Sequence, residues 1–562
     1  MVHLFYLAPM DNRTIADNFS LLSKLMDIHG ENSFKAKSFG SAAFTIEKLP
    51  LPLDGMPLDD MKKLKGIGES LLKNIQELLL SGRLPLLDNY IEITPPGILE
   101  MMKIKGLGPK KIATIWKELE IESLGELLYA CNENRLTLLK GFGEKTQDSV
   151  RENIGFYMAN RERFLYAQVE TFALDLEKQL RQLFSPATVS LTGHFRRQET
   201  IIDEVELVIA LPIDLLEETL VSMKAFSLVT RTEALLILHH EEKVKVKIYS
   251  ATEDSFTTTL FHTTASPAFL NDFHAAGGNA AGPFHTEEAI FEKAGIAYLH
   301  PALREGLGEV GKAKGLEAWP ELIQPGDIKG IIHAHSTWSD GRYDLEQMAV
   351  AAAQQGFEYL VISDHSRTAV YANGLSIERI QAQHAQIQEL NQRLAPFRIF
   401  KSIESDILGD GSLDYPNEVL ASFDLVIASV HANLKMTEDK AMARLIKAIE
   451  NPYTTILGHL TGRLLLSRNG YPVDHDKIID ACRANNVVIE LNAHPRRLDM
   501  DWRYIAKALD KGCLISIDPD AHSIEGFADI RYGVLAAQKG GLTKQYNLSS
   551  FSAVALEAYL KG

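Results

Sequence analysis

The stretch IIHAHSTWSDG, residues 331–341, sets two imidazoles and a carboxylate at the spacing of metal ligands. In an extended strand successive side chains alternate faces, so His333 and His335 point the same way across Ala334, and Asp340 can fold back from the loop. A lone His-x-His is common on polar strand faces and decides little. The pattern after it decides more. Six further apolar, β-branched runs each end in residues able to bind metal or move protons: EYLVIS runs into Asp364 and His365, FRIFKSI into Glu404 and Asp406, FDLVIASV into His431, TTILG into His459, VVIELN into His494, and CLISID into Asp520 and His522. Segments with helical spacing lie between most of them, at 344–355, 377–393, 438–450 and 476–484. Strand and helix in alternation predict a parallel sheet closed or nearly closed into a barrel, with function gathered at the strands' C-terminal ends. If each His were only a core or loop residue, the coincidence would have to repeat along the whole sheet.

The segments HAHSTWSDG, SDHS, IESDILGDGSLD, SVHANL, GHLTGRLL, ELNAHPRRLD and PDAHS resemble the PHP (polymerase and histidinol phosphatase) phosphoesterase domain, in the form fused to bacterial family X DNA polymerases. Carried over position by position, the resemblance implies nine metal ligands: His333, His335, Asp340, His365, Glu404, His431, His459, Asp520 and His522. It implies Asp340, His365, Glu404, His431 and Asp520 as the catalytic set, and a cluster of three ions whose bridging water or hydroxide attacks a phosphate. Mixed imidazole and carboxylate without thiolate suits Mn, Zn or Fe better than an all-oxygen Mg or Ca site.

At 562 residues the chain exceeds one ordinary core, and three or four domains are expected. With 46% apolar and 23% charged residues it has the composition of a globular protein. The opening MVHLFYLAPMDNRT has no basic n-region and no apolar run of secretory length, and no later segment approaches a membrane span. A cytoplasmic chain without a membrane partner is expected. Cys131, Cys482 and Cys513 are scattered without CxxC spacing and read as reduced thiols. The net charge of −16 counts against a protein that coats nucleic acid. It does not exclude small modules that hold phosphate through backbone N–H groups.

Such modules are present. From Asn12 to Pro50 apolar residues recur at helical spacing in two runs separated by Gly30. Then LKGIGESLLKNI (64–75), IKGLGPKKIATI (104–115) and LKGFGEKTQDSV (139–150) repeat one motif at intervals of roughly 35 to 40 residues. Each is apolar-Lys-Gly-apolar-Gly leading into an amphipathic helix, the pattern of a helix-hairpin-helix. The glycines permit φ > 0, and the turn aims N–H groups at one DNA phosphate. The candidate DNA-binding residues are Lys65, Gly66, Gly68, Lys105, Gly106, Gly108, Lys140, Gly141 and Gly143. This block resembles the lyase-like and fingers regions of family X polymerases, FKAKSFGSAA matching the first domain's helix pair. A long helix is expected around 152–183.

Where the family's palm should begin, the sequence departs from the pattern. Gly193-His194-Phe195-Arg196-Arg197 stands for Gly-Ser-x-Arg-Arg, Glu204-Val205-Glu206 for Asp-x-Asp, and Lys247 in VKVKIYSA for the third Asp. Thr264-Ala265-Ser266 replaces the thumb's TGS. Longer carboxylates and an inverted charge are poorly suited to two closely spaced Mg²⁺ ions, so a degenerate polymerase site at Glu204, Glu206 and Lys247 is expected, with Mg a cofactor only if that palm is active.

The expected fold is multidomain: an all-α helix-hairpin-helix N-terminal region, an α+β nucleotidyltransferase-like palm and thumb, and a C-terminal α/β PHP barrel of (β/α)7 form. The expected boundaries are 1–95 for a helical lyase-like domain with the first hairpin, 96–160 for a fingers-like region, 161–314 for the degenerate palm and thumb, 315–327 for a linker and 328–562 for the PHP domain, with a last helix over 549–560 packed on the barrel. The expected function is a metal-dependent DNA phosphoesterase, a 3′-5′ exonuclease or 3′-end processing enzyme in DNA repair, acting on gapped, nicked or 3′-recessed ends. The alternatives are an active gap-filling polymerase with a PHP exonuclease, a phosphatase of a small monoester, and a DNA-binding scaffold with structural metals.

Overall fold

The structure is a computed structural model that describes residues 10–49, 51–241 and 244–561. The first nine residues, and with them most of the opening stretch read for a secretory pattern, lie outside the described residues. The chain divides between Arg161 and Glu162 into two compact units.

The first unit is helical throughout its described residues. Asp11 caps the helix Asn12–His29 by accepting the Thr14 N–H (2.7 Å), and Gly30, at φ 81°, ends it in the left-handed region. The helix Ser33–Glu47 packs against it, with Phe19 and Phe39 edge to face at 5.3 Å. The three repeats each form a turn leading into a helix: Glu69–Ser81, Pro109–Leu119 and Glu144–Ala159. Only the first glycine of each pair uses left-handed backbone: Gly66, Gly106 and Gly141 have φ of 84°, 88° and 91°. The second, Gly68, Gly108 or Gly143, caps its helix in ordinary extended backbone. The long helix expected over 152–183 is two helices, Glu144–Ala159 and Tyr166–Leu183. Asn160 leaves helical geometry, Glu162 takes φ 63°, and Phe164–Leu165 pairs as a short strand with Ile201–Ile202.

The second unit opens with a five-stranded sheet. Val189–Thr192, Val205–Ile209, Lys245–Ser250, Leu235–His240 and Phe226–Arg231 lie in that order, and only the second and third are parallel. The apolar sides of Tyr166–Leu183 and Ile213–Ser222 cover it through Ala173, Leu176, Leu216 and Leu220. Phe261, Phe269, Phe273 and Phe291 then build a small aromatic core around the fully buried Arg304. Residues 315–327 are packed rather than loose, since Leu322 and Ile323 are buried and Ile323 N–H donates to Leu542 O (2.9 Å).

Seven parallel strands follow in sequential order: Gly330–Ala334, Tyr359–Ile362, Arg398–Asp406, Leu425–Ser429, Ile456–Leu457, Val488–Asn492 and Ile515–Asp518. The ends of the sheet meet where His335 N–H donates to Ala521 O (2.8 Å) and Ala521 N–H to His333 O (3.1 Å), closing a (β/α)7 barrel. Leu345–Gln354, Ile377–Arg393, Glu438–Ile449 and His475–Ala484 occupy the expected helical segments. Alternation along the strands separates two cores. Leu360 and Ile362 pack against the helices, whereas Tyr359 and Val361 join Phe400, Ile427 and Val488 in the barrel's interior, where Leu548 and Leu556 of the C-terminal tail also pack. The last helix is Ala553–Lys561.

Candidate metal centre

The motif that opened the sequence reading works by a different local geometry from plain alternation. The strand ends at Ala334, its register shifts between Ile331 and Ala334, and His333 adopts φ 63°. Such a bulge re-aims a side chain. His333 and His335 still converge, their rings 5.3 Å apart, but because the strand is kinked there.

All nine sequence-predicted ligands lie at this one end of the barrel. Glu404, buried between them, has Oε1 at 3.0 Å from His459 Nε2, 3.1 Å from His431 Nε2 and 3.3 Å from His333 Nε2, and Oε2 at 2.9 Å from His365 Nδ1. Asp520 Oδ1 lies 3.1 Å from His335 Nε2 and 3.5 Å from His333 Nε2. Asp340 reaches in from the loop to within 3.4 Å of His522 and 3.6 Å of His365. The ligand atoms form three tight groups, each within 4.8 Å: His335, Asp340, His365 and His522; His333, His335 and Asp520; and His365, Glu404 and His431. His335 and His365 belong to two groups each, so the groups are contiguous. His459 is outside them and touches the centre through Glu404.

Electrostatics favours cations here. Burial opposes charge on Glu404 and Asp520, yet the imidazoles around them hold both carboxyls well below their usual range. Burial also opposes a proton on His431, but Glu404 and Asp406 raise it to about 10; for His522, Asp340 and Asp520 prevail in the same way, to about 9. His335, buried beside His522 and His365, is pushed down to about 3. Protonated rings thus balance ionised carboxylates, the role that metal ions take when bound. Fit is also visible atom by atom. His335 Nδ1 and His459 Nδ1 are buried without a hydrogen-bond partner, and such atoms are costly unless something ligates them.

Three carboxylates outside the nine support them: Glu490 was missed from sequence, whereas Asp406 and Asp364 were read there only as strand-end residues. Glu490, fully buried within Val488–Asn492, accepts from His333 Nδ1 at 2.6 Å and from His459 N–H at 3.0 Å. Asp406 does the same for His431 Nδ1 at 2.6 Å. Both turn Nε2 of their imidazole inward, the usual arrangement behind a metal ligand. Asp364 accepts from Ser336 N–H (2.8 Å), Ser336 Oγ (2.8 Å), Ser339 Oγ (2.6 Å) and Gln383 Nε2 (2.7 Å), fixing the loop that carries Asp340. The available signal was a carboxylate inside an apolar strand, which is hard to satisfy without a partner.

The palm-like residues are engaged differently. Lys247 lies directly beside Glu206 in register but ion-pairs with Glu204, which also binds Lys245 at 2.9 Å. Glu206 packs against Gly193 and accepts from Tyr249 Oη (2.8 Å) and His194 N–H (3.3 Å). Arg196 is committed to Glu287 and Thr264, and Arg197 to Glu305 and Thr264 O. Ser266 caps the helix Pro267–Ala275. In the first unit Lys65, Gly66, Gly68, Lys105, Gly106, Gly108, Lys140, Gly141 and Gly143 are all exposed, while the apolar residue between each glycine pair, Ile67, Leu107 or Phe142, is buried.

Comparison with known proteins places this arrangement. The chain is 34% identical, over 98% of its own length and 100% of the relative's, to the Bacillus subtilis protein named "DNA polymerase/3'-5' exonuclease PolX". It belongs to the PolX family of enzymes. Within this PolX chain, residues 10–84 match a helix-hairpin-helix domain and residues 98–154 a SAM-like helix-hairpin-helix tandem. A "Probable phosphatase" of Thermoanaerobacter is 25% identical over 39% of the chain and 89% of the relative, and one of Acetivibrio thermocellus is 29% identical over 29% of the chain and 64% of the relative. The first of these spans is about the size of the barrel alone. No described helix is long and apolar enough to cross a membrane.

Proposed function

We propose that this PolX chain is a metal-dependent phosphoesterase that trims or cleans DNA 3′ ends in repair, a 3′-5′ exonuclease on a family X scaffold whose polymerase site does not work. The carrying observation is the contrast between its two acidic sites. In the barrel, buried imidazoles and carboxylates come together in three contiguous groups whose ligand atoms lie within 4.8 Å of one another. In the palm, Glu204 is neutralised by Lys245 and Lys247, and Glu206 is occupied by Tyr249 and His194.

In this reading His333, His335, Asp340, His365, Glu404, His431, His459, Asp520 and His522 hold three ions of Mn, Zn or Fe, with Asp340, His365, Glu404, His431 and Asp520 nearest the chemistry. Bound ions would supply an activated water and neutralise phosphoryl charge. The exposed hairpin turns, with their lysines, hold gapped, nicked or 3′-recessed DNA by its phosphates. Residues 1–95 and 96–160 then serve DNA binding, 161–314 is a retained palm and thumb, 315–327 connects, and 328–562 hydrolyses. A DNA substrate, with Cys131, Cys482 and Cys513 all unpaired, fits work in the cytoplasm.

Two other readings have specific support: the Bacillus relative's name includes polymerase, and the shorter relatives are named phosphatases. One assay separates them. On a gapped substrate with Mn²⁺ or Mg²⁺ and all four dNTPs, we expect primer shortening by the wild type and neither shortening nor extension by Asp520→Ala/His522→Ala. Robust extension by that variant, abolished by Glu204→Ala/Glu206→Ala, would install the polymerase reading. Turnover of a small phosphate monoester far exceeding that of DNA ends would install the phosphatase one.

A further inference from the structure

The loop between His365 and Ser376 forms a lip beside the metal centre. It leaves at Ser366, whose N–H donates to Glu404 O (3.1 Å), and returns at Leu375, whose N–H donates to His365 O (2.9 Å). Its base is clamped. Thr368 donates its N–H to Asp414 (2.7 Å) and its Oγ1 to Asp406 (2.6 Å), and Asn373, at φ 54°, donates its side-chain amide to Ser339 O (3.2 Å). Arg379 donates to Asn373 O (2.8 Å) and lies over the Trp338 ring at 5.8 Å. Ala369 and Ala372 are buried beneath the tip, a single 3₁₀ turn over Val370–Ala372.

Out of this fixed turn Val370 and Tyr371 project, 82% and 73% exposed. Single exposed apolar residues are ordinary on protein surfaces. Tyr371 differs in its place. Its ring stands 6.3 Å from that of His365, which belongs to two of the three metal groups. An aromatic face carried on a fixed turn next to a phosphate-hydrolysing site is the usual platform for a nucleic-acid base, because every base has a π-face to stack. A phosphate monoester without a base would gain nothing from it.

We propose that Tyr371, supported by Val370, stacks on a base at the 3′ end of a single strand entering the metal centre, so that the site selects base-bearing ends. This rests on the reading of the barrel as a DNA 3′-end hydrolase and adds the group that would make it prefer nucleic acid to small phosphates.

The test uses the full chain loaded with Mn²⁺ and the variants Tyr371→Ala and Tyr371→Phe. Substrates are a single-stranded oligonucleotide and the same oligonucleotide with abasic residues in its last two positions. On the ordinary end Tyr371→Ala should raise KM about 10-fold with kcat unchanged, and Tyr371→Phe should match the wild type. On the abasic end all three should be alike. An equal loss on both substrates, expressed in kcat, would mean that the ring merely supports His365 and would overturn the proposal; so would no change on either. A second measurement is independent of hydrolysis. An oligonucleotide with 3′-terminal 2-aminopurine and a non-hydrolysable last linkage should be quenched by the wild type and Tyr371→Phe but not by Tyr371→Ala. If the wild type degrades no DNA end, the exonuclease reading fails, and the quenching alone decides the stacking: its absence in the wild type sinks the proposal.

Discussion

Glu490 shows how a single carboxylate can fix a candidate ligand from behind. Removed from water, it receives His333 Nδ1 at 2.6 Å, and this points Nε2 at Glu404 and Asp520. Glu490→Gln keeps the shape and removes the charge. We expect metal affinity to fall about 10- to 100-fold with the fold intact, measured by titrating Mn²⁺ or Zn²⁺ into stripped protein. Unaltered affinity would show that the bulge alone orients His333. A second buried carboxylate makes a pH prediction. Burial opposes the charge of Glu287, but Arg304 and Arg196 hold its carboxyl down at about 2, against an ordinary 4.5. A depressed folded-state value means that the stabilisation is complete above about pH 4.5 and is lost as pH falls toward about 2. At ~1.4 kcal/mol per pH unit that is up to about 3 kcal/mol. Urea unfolding between pH 5 and 3 should therefore show a steeper loss of stability in wild type than in Glu287→Gln. Parallel slopes would rule the linkage out.

At the scale of elements, the two glycines of each hairpin separate backbone strain from access. Gly106, at φ 88°, needs left-handed backbone, and any other residue there strains the turn by about 1–2 kcal/mol. Gly108 is extended, and a Cβ on it would meet nothing within 4 Å. Nothing inside the protein therefore requires glycine at Gly108, Gly68 or Gly143; a phosphate approaching the N–H groups would. Gly108→Val should leave the melting temperature nearly unchanged and weaken duplex binding about 10-fold at fixed salt, the cost of one or two charge-assisted hydrogen bonds. Unchanged affinity after the matching substitution in all three hairpins would make the array structural only. Elements were legible from sequence where their signals were local. The barrel strands and the helical segments between them follow from periodicity. The break at residues 160–165 was not, because Phe164–Leu165 is held by a pairing with Ile201–Ile202 that no local window contains.

For the whole molecule, the same division between local and distant information holds. The sequence alone determined that the chain has a helical hairpin region and a C-terminal barrel of alternating strands and helices with polar residues at the strand ends, while the α/β middle and the particular set of nine side chains were what its family resemblance implied. The hairpin region and the barrel rest on periods of 2 and 3.6 residues, on glycine turns, and on polar residues placed where strands stop, all read within a few residues of one another. Only the tertiary structure decided what holds those side chains and what occupies the palm. Glu490 and His333 are 157 residues apart in sequence, and Lys247 reaches Glu204 only because the parallel pairing of Val205–Ile209 with Lys245–Ser250 skips two intervening strands. Lys539, fully buried, donates to Arg197 O across 342 residues and, with Arg531 and Tyr532 against Glu170, joins the barrel to the palm-like sheet. A buried charge must find its partner wherever the fold supplies one, and that choice depends on desolvation and packing across the whole core. It leaves no mark on the spacing of neighbouring residues.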